Sequence, residues 1–237
     1  MKTCYLIMSH KEPEQIYRLV YTIKKQSPNS HIILSHDSTN CSLDVSIFKK
    51  LSGVDVQFVT GERADFSLVY KYFWAINYLF NNNINFDWLI TLSAQDYPTQ
   101  PISELELLLS TTQYDGFLQF FKVFTSESPW SIRVGYERYL YQYKKLSLSL
   151  PKPMLSILKV LKICNYLQPF FRLNSTYGLR FGTKQKSIFN DDFYCYGGYF
   201  FSILSIKCVK YLNDFYQNNP EIVEYYKSVI LPEESFI

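Results

Sequence analysis

The stretch Phe86-Asp87-Trp88-Leu89-Ile90-Thr91-Leu92-Ser93-Ala94-Gln95-Asp96-Tyr97-Pro98-Thr99-Gln100-Pro101 decides the fold. Its first half is a short apolar run rich in strand formers, Trp88, Leu89, Ile90 and Leu92. Its second half is a polar turn that Pro98 closes. This junction, a buried strand meeting a polar turn, is where open α/β sheets build their sites. Ligands there bind in the crevice outside the carboxyl ends of the strands, which places Asp96 and Gln95 to reach a sugar or nucleotide hydroxyl. The same segment equally suits a structural duty, with Asp96 closing an Asx-type turn before Pro98 or capping a helix that starts near Ser103.

Upstream of this stretch the pattern alternates. Residues 4–8, 31–35 and 54–59 read as apolar strands, and 13–25 and 67–80 as amphipathic helices, the second turning Val69, Phe73, Ile76 and Leu79 or Phe80 inward. Such alternation implies a mainly parallel sheet covered by helices. Downstream, 98–109 begins a helix and 116–121 reads as a strand. Order returns with a strand over 199–204 and helices over 205–215 and 221–226. The segment between is expected to be a helical or loop insert.

At 237 residues, 47% of them hydrophobic, the chain can bury a full core, and its length fits one large domain. The N-terminal apolar run is too short for a signal peptide, so a cytoplasmic location is expected. Five widely spaced cysteines without a Cys-x-x-Cys pair read as reduced thiols rather than a disulfide framework or a zinc site. The net charge of +3 is unevenly spread: residues 138–190 hold ten Lys or Arg and not one Asp or Glu. Within that basic, insert-like region Lys152, Lys159 and Lys162 share a helical face with Ser156, as in a helix that lies on an anionic membrane surface. An ordinary core helix with a solvated lysine edge is the simpler reading of the same pattern. No nucleic-acid motif accompanies the charge, so nucleic acid is not expected as a partner. Aromatics make up 18% of the chain, and such rings stack on sugar faces as well as filling cores.

Phosphate-binding glycine loops and the G-x-S-x-G elbow are missing, which argues against kinases, ordinary dehydrogenases and serine hydrolases. No Asp-x-Asp motif demands a divalent cation, Asp191-Asp192 having the wrong spacing, and no cofactor is expected. His36-Asp37 after a strand suits a carboxylate that takes nucleotide hydroxyls, or a turn cap. His10 reads as a loop residue. In Pro232-Glu233-Glu234 one carboxylate pointing inward would serve as a general base, whereas a helix N-terminus complemented by acidic residues is the structural alternative.

These anchors also fall in a familiar order. His10-Lys11, Ile33-Leu34-Ser35-His36-Asp37, Phe66-Ser67-Leu68-Val69, Leu92-Ser93-Ala94-Gln95-Asp96-Tyr97-Pro98, Gly198 with Leu204-Ser205, and Pro232-Glu233-Glu234-Ser235-Phe236 span essentially the whole chain. Together they resemble the core-2/I-branching β-1,6-N-acetylglucosaminyltransferases and the related peptide O-xylosyltransferases.

The resemblance implies a GT-A-like α/β nucleotide-sugar-binding fold and an inverting, metal-independent transfer from a UDP-sugar, with Glu234 as base. It puts uridine contacts at Ile7, Met8, Ser9 and Asp37, with Asp96 also on the donor side. Where the family commonly carries Trp-Gly, this chain has Arg63-Ala64-Asp65, which leaves Arg63 at the donor position. Phe200-Phe201 stand in place of a frequent Trp-Trp pair. Gln95, Arg133, Tyr136, Arg138 and Gly198 are expected on the acceptor side. The chain ends three residues past Glu234, where relatives continue into a basic segment that holds the diphosphate. Residues 1–237 are therefore expected to form a single glycosyltransferase domain that lacks a C-terminal segment, with Arg180, Lys184 and Lys186 as the available cations. The expected donor is UDP-N-acetylglucosamine and the acceptor a glycan or lipid-linked saccharide. A UDP-xylose-dependent enzyme and a catalytically impaired remnant are the alternatives.

Overall fold

A computed structural model of the chain describes residues 1–62, 64–146 and 163–237. Arg63 and the lysine-edged stretch from Lys152 to Lys162 lie outside the described residues. The chain divides into two compact units. The first is made of Met1–Gly61, Ser67–Gln119 and Tyr199–Asn218, and the second of Glu62–Phe66, Phe120–Gly198 and Asn219–Ile237.

The first unit is built on a six-stranded sheet. Strands β1 (Thr3–Ser9), β2 (His31–Asp37), β3 (Val54–Val59) and β4 (Trp88–Ser93) are parallel. The short strands β5 (Gly116–Phe117) and β11 (Ile203–Ser205) complete the order β3-β2-β1-β4-β11-β5, with β11 antiparallel to both of its neighbours. Every residue of β1 is buried, as a central strand covered on both faces requires. On one face Tyr5, Ile7, Ile32, Leu34 and Ile90 pack with Ile16, Leu19 and Ile23 of helix α1 (Pro13–Gln26) and with Ile102 and Leu109 of α3 (Ile102–Thr111). The alternate residues Cys4, Leu6, Ile33 and Leu89 are buried on the other face. There α2 (Ser67–Asn81) sets Tyr72 beside Thr91, and Phe73 stacks on Tyr216 of α6 (Ile206–Asn218) at 4.1 Å. The expected α/β class, a mainly parallel central sheet flanked by helices, is what forms.

The strand order creates the place for a site. β1 connects through α1 to β2 on one side, and β3 connects through α2 to β4 on the other side of β1. The order therefore reverses between β1 and β4, and their carboxyl ends carry Ser9 and Ser93.

The second unit corrects the expectation of a helical or loop insert. It holds an antiparallel three-stranded sheet, order β7-β9-β8, from β7 (Tyr141–Lys145), β8 (Phe171–Asn174) and β9 (Arg180–Lys184). A two-stranded pair joins β6 (Phe120–Lys122) to β10 (Tyr196–Gly198). The apolar run read as one strand over 116–121 is thus split between β5 and β6, and the run over 199–204 keeps only its end in β11. Helices α4 (Ile132–Tyr139), α5 (Cys164–Leu167), α7 (Pro220–Tyr226) and α8 (Glu233–Phe236) complete the unit.

Tyrosine organises this second core. The hydroxyl of Tyr139 donates to the Leu231 carbonyl at 3.2 Å, that of Tyr143 to the Glu137 carbonyl at 2.6 Å and that of Tyr141 to the Pro169 carbonyl at 2.6 Å. Tyr225 donates in the same way to the Tyr139 carbonyl. Each ring supplies apolar area while its hydroxyl satisfies a backbone carbonyl that short strands and loops leave over.

Leu6 is fully buried at the centre of the first sheet. Leu6→Ala should lower unfolding stability by about 2–5 kcal/mol, read as a drop in the urea midpoint at an unchanged slope.

Candidate functional site

Three strand ends of the first unit define its carboxyl edge. Ser9 pairs with His36 in register across β1 and β2, and its Oγ lies 2.8 Å from His36 Nδ1. His36 Nε2 lies 2.8 Å from the Cys41 carbonyl, which can only accept, so Nε2 carries a proton. His36 is fully buried and serves as the brace of this edge. Asp37, one residue on, accepts from the Thr39 amide at 3.0 Å through Oδ1, and its Oδ2 lies 3.4 Å from the Lys71 ammonium of α2. Burial pushes the Asp37 carboxyl up, and the Thr39 hydrogen bonds and the Lys71 charge outweigh it, leaving the carboxyl below its ordinary value.

The third strand end is a turn bonded within itself. Asp96 Oδ2 accepts from the Ser93 amide at 2.8 Å, the Gln95 amide donates to Ser93 Oγ at 3.1 Å, and the Asp96 amide closes onto the Ser93 carbonyl. Asp96 thus shapes its own turn. It also lines a cavity of about 230 Å³ between β1, β4, α1 and α3, together with Leu19, Ile23, Leu92 and Ile102. Gln95 is exposed beside it. Ile7 and Met8 point their side chains into the core, so only their backbone can face a ligand at this edge.

The second unit carries its own cluster of charged groups. Arg138 of α4 donates to Glu234 Oε2, and its guanidinium lies over the Trp130 ring at 4.2 Å from the centroid. Arg138, expected on the acceptor side, is thus paired with the carboxylate that the resemblance names as base. Glu233 is buried, and its Oε2 has no hydrogen-bond partner among the described residues. Burial first, then the nearby Glu234 and Asp65 charges, push the Glu233 carboxyl up to about 7, against lowering by its own backbone amide and Arg138. Backbone strain gathers here as well. Ala64 and Leu231, packed in one cluster with Tyr141, Tyr143 and Ile230, hold φ of +62° and +54°. Leu231 is pinned by Tyr139, and Ile230 by the Arg138 carbonyl.

Of the other expected acceptor groups, Arg133 is held by Glu137 at 2.8 Å and stacks on Tyr166, while Tyr136 is exposed beside Phe124. Gly198 ends β10 opposite Phe120. Arg180, named as a diphosphate cation, is corrected: it is buried and donates to the Ala64 and Tyr177 carbonyls. Lys184 and Lys186 are exposed. Among the described residues there is no group of three or more His, Cys, Asp or Glu that could hold a metal ion, and no helix long and apolar enough to cross a membrane. Sequence reasoning missed Lys71 and the Arg138–Glu234 pair.

No family model and no curated protein matches the chain. Among solved structures, S. aureus TarS 1–349 is similar with a TM-score of 0.38 and 13% identity, over 64% of this chain and 43% of that one. Its complex with UDP-GlcNAc has the same score and identity over 63% and 41%. The chain thus spans about two fifths of the TarS chains it matches. A 4-diphosphocytidyl-2C-methyl-D-erythritol synthase from Anaerococcus prevotii has a TM-score of 0.42 and 10% identity over 95% of this chain and 82% of that one.

Lys71→Met would leave Asp37 largely buried without its cation, and should cost about 2 kcal/mol of stability at pH 7. Asp37 is depressed in the folded state, so its contribution is present above the ordinary carboxylate value and is lost as pH falls through the folded one. The gap between wild type and variant in urea unfolding should accordingly shrink when the titration is repeated near pH 3.

Proposed function

We propose that this chain is a transferase that moves a sugar, N-acetylglucosamine in the simplest case, from a UDP carrier to a hydroxyl of a glycan acceptor, with inversion and without a divalent cation. The ordered motifs that resemble the core-2/I-branching transferases support this reading, as does an open, mainly parallel sheet of GT-A type whose strand order reverses at β1 and β4. The observation that carries it is Glu234, the position of the base in that resemblance, fixed in the second unit by Arg138, which is itself stacked on Trp130.

In this reading the first unit takes the nucleotide. Backbone groups at Ile7, Met8 and Ser9 meet the base, Asp37 accepts from a base or ribose group, and Asp96 and Arg63 serve the donor sugar. Gln95, Arg133, Tyr136 and Gly198 serve the acceptor. Glu234 takes the acceptor's hydroxyl proton as the oxygen forms its bond to the anomeric carbon. The bond from that carbon to the UDP oxygen breaks, and its electron pair leaves with the diphosphate. A saccharide carried on a lipid at the inner face of a membrane, met by the basic stretch of residues 138–190, is the acceptor this reading favours.

A second reading has one observation in its favour. Arg180 is committed to backbone carbonyls and so is not a free counter-charge for a departing diphosphate. If Lys184 and Lys186 do not take its place, the chain would bind a nucleotide or sugar and turn nothing over.

UDP release from UDP-N-acetylglucosamine with a panel of glycan acceptors separates the two. A transferase should lose about 10²–10⁴-fold in kcat on Glu234→Gln while its affinity for UDP stays within a few-fold. Tight UDP binding with no turnover in either protein would establish the binding remnant instead.

A further inference from the structure

The two consecutive glutamates of α8 meet opposite surroundings. Glu234 is partly exposed and has a guanidinium partner in Arg138. Glu233 is only 8% exposed, and its Oε2 has no hydrogen-bond partner among the described residues. The charged groups that act on it are Glu234 from its own helix, Asp65 from the 62–66 segment and Arg138 from α4. Two of the three are negative, and the third is already bonded to Glu234 and stacked on Trp130. Among the described residues, the neighbouring titratable groups Tyr139, Tyr226 and Cys195 are kept neutral by burial. Burial raises the hydroxyls of Tyr139 and Tyr226 far above their ordinary values, and the Cys195 thiol up to about 12. Cys195 and Tyr226 both face Ser235 rather than a carboxylate. An ionised carboxyl taken out of water without a cation or a full set of donors is costly enough that the group neutralises instead.

We propose that Glu233 stands as a neutral carboxylic acid next to the Arg138–Glu234 ion pair, and that Glu233 is the positioning residue that keeps Arg138 committed to Glu234. While Glu233 keeps its proton, Arg138 faces one anion, Glu234, and stays bonded to it. When Glu233 loses its proton, a second anion competes for the same guanidinium, and the geometry of Glu234 is no longer fixed. The function assigned to Glu234 rests on the transferase reading above, whereas the proton on Glu233 does not.

The test has an arm for each. In the wild-type chain, infrared difference spectra recorded from pH 5 to 9 should show a protonated carboxyl band that disappears near neutrality and is missing in Glu233→Gln. In thermal melts the sign follows from a folded-state value above the unfolded one: Glu233 penalises folding increasingly as pH rises between the two, and by a constant amount above both. Glu233→Gln should therefore match wild type near pH 5 and melt several degrees higher at pH 8. In UDP release, wild type should lose activity above neutrality, and Glu233→Gln should keep it at least threefold better at pH 8 than wild type does.

A Glu233 band that titrates in the ordinary carboxylate range, with melting curves that run in parallel, would overturn the proposal. It would mean that a cation pairs with this carboxylate, Arg63 being the nearest in sequence to Asp65. Should the band behave as expected in a chain that releases no UDP, the proton assignment stands and the transferase reading falls. Turnover with an ordinary Glu233 titration gives the converse.

Discussion

A carboxylate removed from water must find a cation or take a proton, and the functional parts of both units are arranged around that constraint. In the first unit it ties the end of β2 to the second turn of α2, because Asp37 at the sheet edge is held by the Thr39 hydrogen bonds together with the Lys71 ammonium. In the second it ties α8 to α4 through Arg138, whose guanidinium is in turn oriented by the face of Trp130. Planarity matters at that position. A flat guanidinium can lie over a ring and still offer its edge to an oxygen, a combination that a lysine ammonium cannot reproduce. Glu233 resolves the same constraint in the opposite direction, and so adjacent residues of identical chemistry acquire different states.

The parts of the fold that the sequence made legible are those whose burial is complete. β1, β2 and β4 are covered on two faces, so their residues form unbroken apolar runs, and α1 and α2 follow with a clear helical period. β7 hid for the opposite reason: in Tyr141–Lys145 only Tyr141 and Tyr143 turn inward, and the lysines and glutamine between and after them read as part of a basic insert. The break between β5 and β6 was equally silent, since the residues from Gly116 to Phe121 are almost all apolar although they belong to two different sheets.

The site was legible to a similar degree. Acidic residues at strand ends could be named from position alone, but their partners could not. Lys71 lies 34 residues from Asp37, and Arg138 lies 96 residues from Glu234. No local spacing encodes either pair. Arg180 was named for its charge, and the structure spends that charge on the Ala64 and Tyr177 carbonyls. Asp96 is open to two duties from the sequence, and its bond to the Ser93 amide shows how it shapes its own turn.

The tyrosines of the second unit have a consequence of their own. Their hydroxyls must stay protonated to donate to the Leu231, Glu137 and Tyr139 carbonyls, and burial raises the value at which each would ionise. In the unfolded chain the same phenols titrate freely near 10. Strong alkali therefore takes protons from these particular buried phenols only as the structure around them comes apart. The share of the ultraviolet phenolate band that comes from these buried rings thus becomes a built-in optical reporter of this unit's integrity at the basic end of the pH scale, one that needs no label.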